Sequence, residues 1–320
     1  MADLPPERLK ACPPFTYVGL DVFGPWHITT RCTRGAQSES KRWAILFCCM
    51  SSRAVHIEVI ASMDASSCIN ALRCFFAIRG PAKQLRSDCG TNFIGACREL
   101  KMSAEQPDTT VQRYLHQQGC SWVFNPPHAS HMGGSWERLI GIARRILDSM
   151  LLEHGTHLTH EVLCTLMAEV AAIMNARPLV PVSNDPEDPF ILTVSMLLTQ
   201  KAGVPPPPGD FTDRDLLTKQ WRQVQALSNI FWSRWRQVYL STLHSRKKWT
   251  KSHQNLQEGD IVLLKDNQAV RNHWPLAVIT KAIPGEDGKV RKVELKTTDQ
   301  GHSKNDRRPV TELVLLLRKE

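Results

Sequence analysis

Three carboxylates in this chain of 320 residues are set where chemistry could be done. Asp21 interrupts the apolar run Tyr17-Val18-Gly19-Leu20-Asp21-Val22-Phe23, where a lone carboxylate is costly unless a cation or a donor meets it. Asp88 is followed by Gly90-Thr91-Asn92, a turn flexible enough for backbone and ligand to approach closely. Glu137 follows Gly133-Gly134 and lies beside the apolar stripe Trp136, Leu139, Ile140, Ala143, Ile146, Leu147 and Met150. Taken singly, an acid at such a place is more often solvated or a cap than a ligand. Three hard oxygen donors from separate elements suit Mg²⁺ or Mn²⁺. Two such ions about 4 Å apart would activate an attacking oxygen and stabilise a departing one at phosphorus. Arg144, two helical turns beyond Glu137, shares its face and could hold a phosphate, with Arg138 and Arg145 as a second pair. The plain alternative for these arginines is a solvated helix face.

The elements that must position these acids follow from the pattern. Phe15 to Phe23 reads as a strand that stops at Gly24-Pro25. Arg42 to Met50 turns at Ser51-Ser52-Arg53 into Ala54 to Ile60, an antiparallel hairpin. Asp64 is the expected N-cap of a helix from Ala65 to Arg79, closed by Gly80-Pro81. A strand from Gln84 to Ser87 delivers Asp88, helix follows up to Gly119, and a strand from Ser121 to Asn125 leads through a stiff loop into a helix from about Ser135 to Leu152. The order βββαβαβα predicts one mixed sheet with helices on its faces.

A helix from Glu161 to Ala176 precedes Arg177-Pro178, and residues 178–212, with Pro205 to Pro208 inside them, read as a linker at a domain boundary. Thr212 and Asp215 form a capping-box pattern before Leu217, Trp221, Val224, Ser228, Phe231, Trp235, Val238 and Thr242, spaced for one amphipathic helix of about 30 residues with Trp221 and Trp235 in its core face. Short runs at Asp260–Lys265, Trp274–Thr280, Val290–Lys296 and Leu313–Leu317 suit a small antiparallel barrel.

Composition bounds the possibilities. A hydrophobic content of 42% supports a packed core and argues against a disordered or fibrous chain. The net charge of +9 is unevenly placed: residues 1–210 hold 19 basic and 19 acidic side chains, and residues 211–320 hold 21 and 12. The N-terminus lacks the apolar core of a signal peptide, and no apolar run approaches the roughly 20 residues of a bilayer span, so a soluble intracellular protein is expected. The ten cysteines form no C-x-x-C pair and read as reduced thiols. His154, His157, His160 and Cys164 have a metal-like spacing, but Gly155 interrupts it and Thr159 suits an N-cap, which favours a loop with incidental histidines. In the basic tail, Arg234, Arg236, Arg246, Lys247, Lys248 and Lys251, rather than the tryptophans beside them, are the expected contacts to DNA phosphates.

With these residues in view, the sequence resembles the integrase catalytic core of retroelements, specifically the BEL/Pao type of long-terminal-repeat retrotransposon. The resemblance rests on PPFTYVGLDVFGPW (13–26), RAVHIEVI (53–60), RGPAKQLRSDCGTNFIGA (79–96), FNPPHASHMGGSWERLIG (124–141) and NARPLVPVSNDP (175–186). It implies an RNase H-like α/β fold over residues 13–178, preceded by a linker at 1–12 and followed by a Pro-rich linker at 179–212, a long helix at 213–250 and a small basic β-barrel at 251–320. It implies Asp21, Asp88 and Glu137 as catalytic, metal-binding acids, with two Mg²⁺ or Mn²⁺ ions serving 3′-end processing and strand transfer. Asn92, Arg138, Arg144, Arg145, Arg246, Lys247 and Lys248 are the expected nucleic-acid contacts. The implied partners are element and target DNA and further copies of the chain, with no membrane, in the nucleus and in retroelement particles. The tail, from WRQVQALSNIFWSRWRQVYLSTLHSRKKW (221–249) through EGDIVLLKD (258–266) to WPLAVI (274–279), resembles the module that follows the core in the same polyproteins. Two departures stand out. No His/His/Cys/Cys zinc spacing precedes Pro13, so the chain resembles a polyprotein from the linker onward, and Val194 stands where Pro is expected. The alternative is a catalytically silent DNA- or chromatin-binding protein derived from such an element, to which the segregated basic charge also points.

Overall fold

The structure, a computed structural model, describes residues 9–31, 37–99, 119–125, 134–155, 158–181, 191–201, 207–243, 255–266, 269–299 and 302–318. It divides into two compact units, Met1–Asn175 with Gly209–Phe231, and Ala176–Pro208 with Trp232–Glu320. No helix among the described residues is long and apolar enough to cross a membrane. Cys12, Cys48, Cys49, Cys68, Cys74, Cys89, Cys120 and Cys164 are free thiols.

The first unit is built on a mixed five-stranded sheet flanked by helices. Strands β1 (Tyr17–Arg31), β2 (Gln37–Cys49) and β3 (Val55–Ile60) form an antiparallel meander, then helix α1 (Ala65–Arg79) crosses to β4 (Gln84–Ser87). Helix α2 (Thr91–Glu99) follows, then β5 (Ser121–Phe124), α3 (Gly134–His154) and α4 (His160–Asn175). The strand order is β3-β2-β1-β4-β5, with β4 and β5 parallel to β1. Val18, Leu20, Phe23, Leu46, Phe47, Leu72, Phe75 and Leu85 are its buried core, and Phe47 stacks on Phe75 at 4.3 Å. Helix α1 keeps its expected limits: Asp64 accepts the Ser67 N–H at 2.7 Å, and Gly80, at φ 84°, donates its N–H to the Phe76 carbonyl. Asn175, buried at the end of α4, ties that helix to β3 by accepting the Val55 N–H and donating to the Val55 carbonyl, both at 2.8 Å.

Strand β1 does not stop at Gly24-Pro25. It continues to Arg31, and the ladder with β2 shifts between Phe23 and Trp26. One extra residue on β1 is a bulge, which accommodates a proline that cannot donate to the ladder. Gly24 takes φ 109° there, and a Cβ would come within 3.1 Å of the Arg42 carbonyl oxygen.

In the second unit, β6 (Pro178–Pro181) pairs with β7 (Ile191–Thr193), which leads into the short helix α5 (Val194–Thr199). The segment expected as a linker therefore contains regular structure. Val194 is the first helical residue after the N-cap Thr193, a position at which proline is equally at home. Strands β8 (Ile261–Leu264), β9 (Leu276–Pro284), β10 (Val290–Asp299), β11 (His302–Pro309) and β12 (Leu313–Leu317) form a five-stranded antiparallel sheet in the order β11-β10-β9-β8-β12. Leu256, Val262, Leu264, Ile279, Val293, Leu295 and Leu313 fill its core. β11 escaped the sequence pattern because HSKNDRRP has no apolar alternation; it is an edge strand held by β10, with Arg307 paired to Glu294 at 2.5 Å.

The long helix α6 is described over Gln220–Leu243, and residues 244–250 lie outside the described residues. The Thr212–Asp215 capping box forms, but it opens a short 3₁₀ helix, Asp213–Leu217. Trp235 is fully buried as expected, whereas Trp221, in the first turn of α6, is 51% exposed and packs edge-on against Phe211.

Candidate active site

The register of the sheet bears on two of the three acids. β1 pairs with β4 in parallel through Val18 and Leu85, then Gly19 and Arg86. Two residues further along each chain stand Asp21, still in β1, and Asp88, one residue past the end of β4; carried on by two steps, the register would set them level, with the strands at their usual spacing of about 4.8 Å. The bulge decides which face Asp21 serves. Asp21, Phe23 and Trp26 oppose Leu46, Ala44 and Arg42 of β2, alternate residues of one strand, so all three share a face. Trp26 packs edge-on to Phe23 and donates its indole N–H to Asp148 Oδ1 of α3 at 3.1 Å. Asp21 therefore lies on the α3 face of the sheet.

Helix α3 runs along β1 in the same direction, because Asp148 meets Trp26 and, past the helix end, the Leu158 carbonyl accepts the Thr29 N–H at 2.7 Å. From Asp148 back to Glu137 is about 16 Å at the helical rise of 1.5 Å per residue. From Trp26 back to Asp21 is about 13 Å, because the bulge leaves only the four ladder steps from Arg42 to Leu46 of β2, at roughly 3.3 Å each. The two lengths agree to within about 3 Å, so the first turn of α3 comes back toward the stretch of β1 that carries Asp21. The Glu137 side chain lies outside the described residues. Among those that are described, no three His, Cys, Asp or Glu side chains form a group that could hold a metal ion.

Both aspartates are held by backbone donors. Asp21, half-buried, accepts the Val22 N–H on Oδ1 at 2.8 Å, and Asp88, exposed, accepts the Gly90 N–H on Oδ1 at 3.1 Å. The turn beneath Asp88 is fixed from below. Ser87, fully buried, donates its hydroxyl to the Asp88 carbonyl at 2.8 Å and accepts the Trp122 indole N–H at 3.0 Å. The Ser87 carbonyl takes the Asn125 N–H at 2.8 Å, and the Cys89 thiol donates to the Asn125 carbonyl at 3.3 Å. Ser87 and Trp122 are positioning residues absent from the sequence reading; the signal was a small polar residue at an inward position of a strand beside a buried indole. Gly90 keeps the turn open, since a Cβ there would stand 2.8 Å from Asn92 Oδ1 and 3.2 Å from Asp88 Oδ1.

The expected nucleic-acid contacts divide. Arg138, Arg144 and Arg145 are exposed on α3; Arg144 Nε lies 3.7 Å from Asp148 Oδ2, and Arg145 Nε donates to the Gly141 carbonyl at 3.1 Å. Asn92 is 4% exposed in the first turn of α2, a buried position rather than the presented one expected, and its Nδ2 has no partner among the described residues. Arg246, Lys247 and Lys248 lie outside the described residues. Arg236 is a correction: it is buried and donates to the Leu264 carbonyl at 2.7 Å and to the Asp266 carbonyl, so it joins α6 to the β8 end of the second unit and is not presented to DNA. Of the histidine series, His160 opens α4 with Cys164 Sγ 3.5 Å from its Nε2, and Thr159 Oγ1 accepts the Val162 N–H as a cap; His157 lies outside the described residues.

Residues 219–316 match the model of a family of unknown function, DUF5641. No curated protein matches the chain. Among solved structures, the chain is similar to one from the simian T-cell lymphotropic virus intasome in complex with PP2A regulatory subunit B56 gamma, with 11% identity, 97% of this chain and 82% of that chain covered, and a TM-score of 0.39. It is also similar to the HTLV-2 integrase catalytic core domain in complex with magnesium. The dimeric form gives 15% identity, 52% and 90% coverage and a TM-score of 0.33. The trimeric form gives 15% identity, 59% and 99% coverage and a TM-score of 0.36. These values are too low to place any residue of this chain on one of theirs.

Proposed function

We propose that this chain is a metal-dependent polynucleotidyl transferase of the retroelement integrase kind, with a BEL/Pao-type element as its source. The observation that carries the proposal is the parallel pairing of β1 with β4 through Gly19 and Arg86, which two steps further on would bring Asp21 beside Asp88, with α3 running along the Asp21 face from Gly134. The donor set fits Mg²⁺ or Mn²⁺: both aspartates offer hard carboxylate oxygens, and the glycine at position 90 leaves clear the space beside Asp88 Oδ1. Asp21 and Asp88 would hold the metal, with Glu137 as the third acid. When bound, two ions would supply positive charge where an attacking and a departing oxygen meet at phosphorus.

The rest of the reaction is the work of the chain's own groups. The Val22 and Gly90 N–H groups fix one oxygen of each aspartate, so the carboxylates need little reorganisation to meet a phosphodiester. Ser87 and Trp122 tie the Asp88 turn to β5. Arg138, Arg144 and Arg145, exposed on α3, would take backbone phosphates of DNA. With water as nucleophile the same site trims a 3′ end, and with a 3′ hydroxyl it joins that end to target DNA. We place this activity in a homo-oligomer acting in the nucleus and in retroelement particles.

The test is strand transfer, or its reversal on branched DNA, by the purified chain with Mg²⁺ or Mn²⁺. Activity lost in Asp88→Asn supports the proposal; inactive wild type, or activity unchanged in the variant, overturns it. A second reading, a silent DNA-binding protein, is favoured by the charge excess in residues 211–320. It requires a DNA affinity that falls steeply with salt and is lost when those residues are removed.

A further inference from the structure

At the start of β1 two thiols meet one hydroxyl. Cys12 Sγ lies 4.0 Å from Ser51 Oγ, and the same oxygen lies 3.3 Å from Cys49 Sγ. Cys49 is buried at the end of β2, with 1% exposure, whereas Cys12 is half-buried and lines an open cavity of about 410 Å³ together with Lys10, Tyr17, Pro81 and Lys83. The sulfur of Cys49 is unusually well supplied with donors. The Phe15 N–H points at it from 3.2 Å, and this contact depends on a left-handed backbone at Phe15, φ 64°, a conformation that a bulky L residue adopts only when its surroundings enforce it. The surroundings do so here: Phe15 is 2% exposed, edge-on to Phe75 at 5.5 Å and beneath the Arg79 guanidinium at 5.4 Å. Burial alone would push the Cys49 thiol up; hydrogen bonds from Ser51, Ser52 and the Phe15 backbone outweigh it, and the net shift is downward. Most structural cysteines behave the other way, as Cys68 does, pushed up to about 12 by burial and by Asp64.

We propose that Cys12 and Cys49 form a redox-sensitive pair, in which Cys12 is the thiol met by a hydroperoxide and Cys49 the nucleophile that resolves it into a disulfide. In the first step the Cys12 sulfur attacks the outer oxygen of ROOH, the O–O bond breaks, and Cys12–SOH and ROH result. In the second, the Cys49 thiolate attacks the Cys12 sulfur; the S–O bond breaks, and the departing hydroxide takes up the proton that Cys49 released, leaving as water. Two thiols and one hydroperoxide thus give one disulfide, one alcohol and one water. The Ser51 hydroxyl, between the sulfurs in the reduced chain, must swing aside for the S–S bond of about 2.05 Å. The bond would staple the segment before β1 to the β2–β3 turn, and it owes nothing to metal or DNA binding by the aspartates.

The experiment is peptide mapping of the full, native chain after hydrogen peroxide treatment, under non-reducing conditions, with fragment ions separating Cys48 from Cys49. The expected result is a Cys12–Cys49 cross-link as the first disulfide formed, at least tenfold faster than any other pair, reversed by dithiothreitol and absent in Cys12→Ser. A different first disulfide, or oxidation of exposed Cys74 and Cys89 with no Cys12–Cys49 product, overturns the proposal. The wild-type mapping decides the matter even if a variant does not fold.

Discussion

Replacing Ser87 by Ala removes one oxygen from beneath the proposed catalytic turn, and its cost can be worked from the contacts. The hydroxyl is fully buried, donates to the Asp88 carbonyl at 2.8 Å and accepts the Trp122 indole N–H at 3.0 Å. Asp88 is exposed, so water can replace the donor its carbonyl loses. Trp122 is 4% exposed, so its N–H is left unpaired, which costs about 1–3 kcal/mol. The β4–β5 pairing is otherwise intact, which makes the loss local. Hydrogen exchange by mass spectrometry over residues 84–88 and 121–125 should then show protection falling about 5- to 150-fold, the equivalent of that energy. In Ser87→Ala/Trp122→Phe there is no N–H to orphan, so the two changes together should cost about 1 kcal/mol less than their sum. An exchange change under about twofold, or strict additivity in the double variant, would refute this account of the turn.

Other expectations follow from particular contacts. Asn175→Ala leaves both polar groups of buried Val55 without the side chain that met them, and should lower stability by about 2–4 kcal/mol in chemical denaturation. Trp235→Ala should cost about 3–5 kcal/mol and Trp221→Ala about 0.5 kcal/mol or less, because only the first is buried; equal losses would contradict the helix phase. Burial holds the Cys68 thiol up to about 12, against an ordinary value of 9.0. The folded state keeps that proton while the unfolded chain loses it, so the stability is fully present below about pH 9 and is lost as pH rises toward 12. Thermal melts across that window should fall with pH, and more shallowly in Cys68→Ala; an unchanged slope would count against the assignment.

Much of the first unit could be read from the chain because its signals are local. Asp64 and Gly80 cap α1 with groups next to it in sequence, and β4 is bounded by turn residues, so their limits needed no tertiary information. What stayed hidden depends on partners distant in sequence. Gly24-Pro25 looks like the end of a strand until β2 supplies the ladder that carries β1 through a bulge, and that bulge aligns Asp21 with Trp26 and α3. β11 is polar throughout and becomes a strand only because β10 pairs with it. Arg236 looked like a free cation on a basic helix, whereas two backbone carbonyls of the second unit enclose it. The three acids themselves were legible, since a carboxylate inside an apolar strand is conspicuous. Their placement relative to one another was not, because register is a property of two strands and not of one.

The central claim is that Asp21 and Asp88 share a metal position, and an anomalous difference map from crystals of the chain soaked in Mn²⁺ tests it most directly. The account predicts a peak between the two carboxylates that disappears in Asp88→Asn. A peak elsewhere with none between them, or a peak there that survives the substitution, would contradict it.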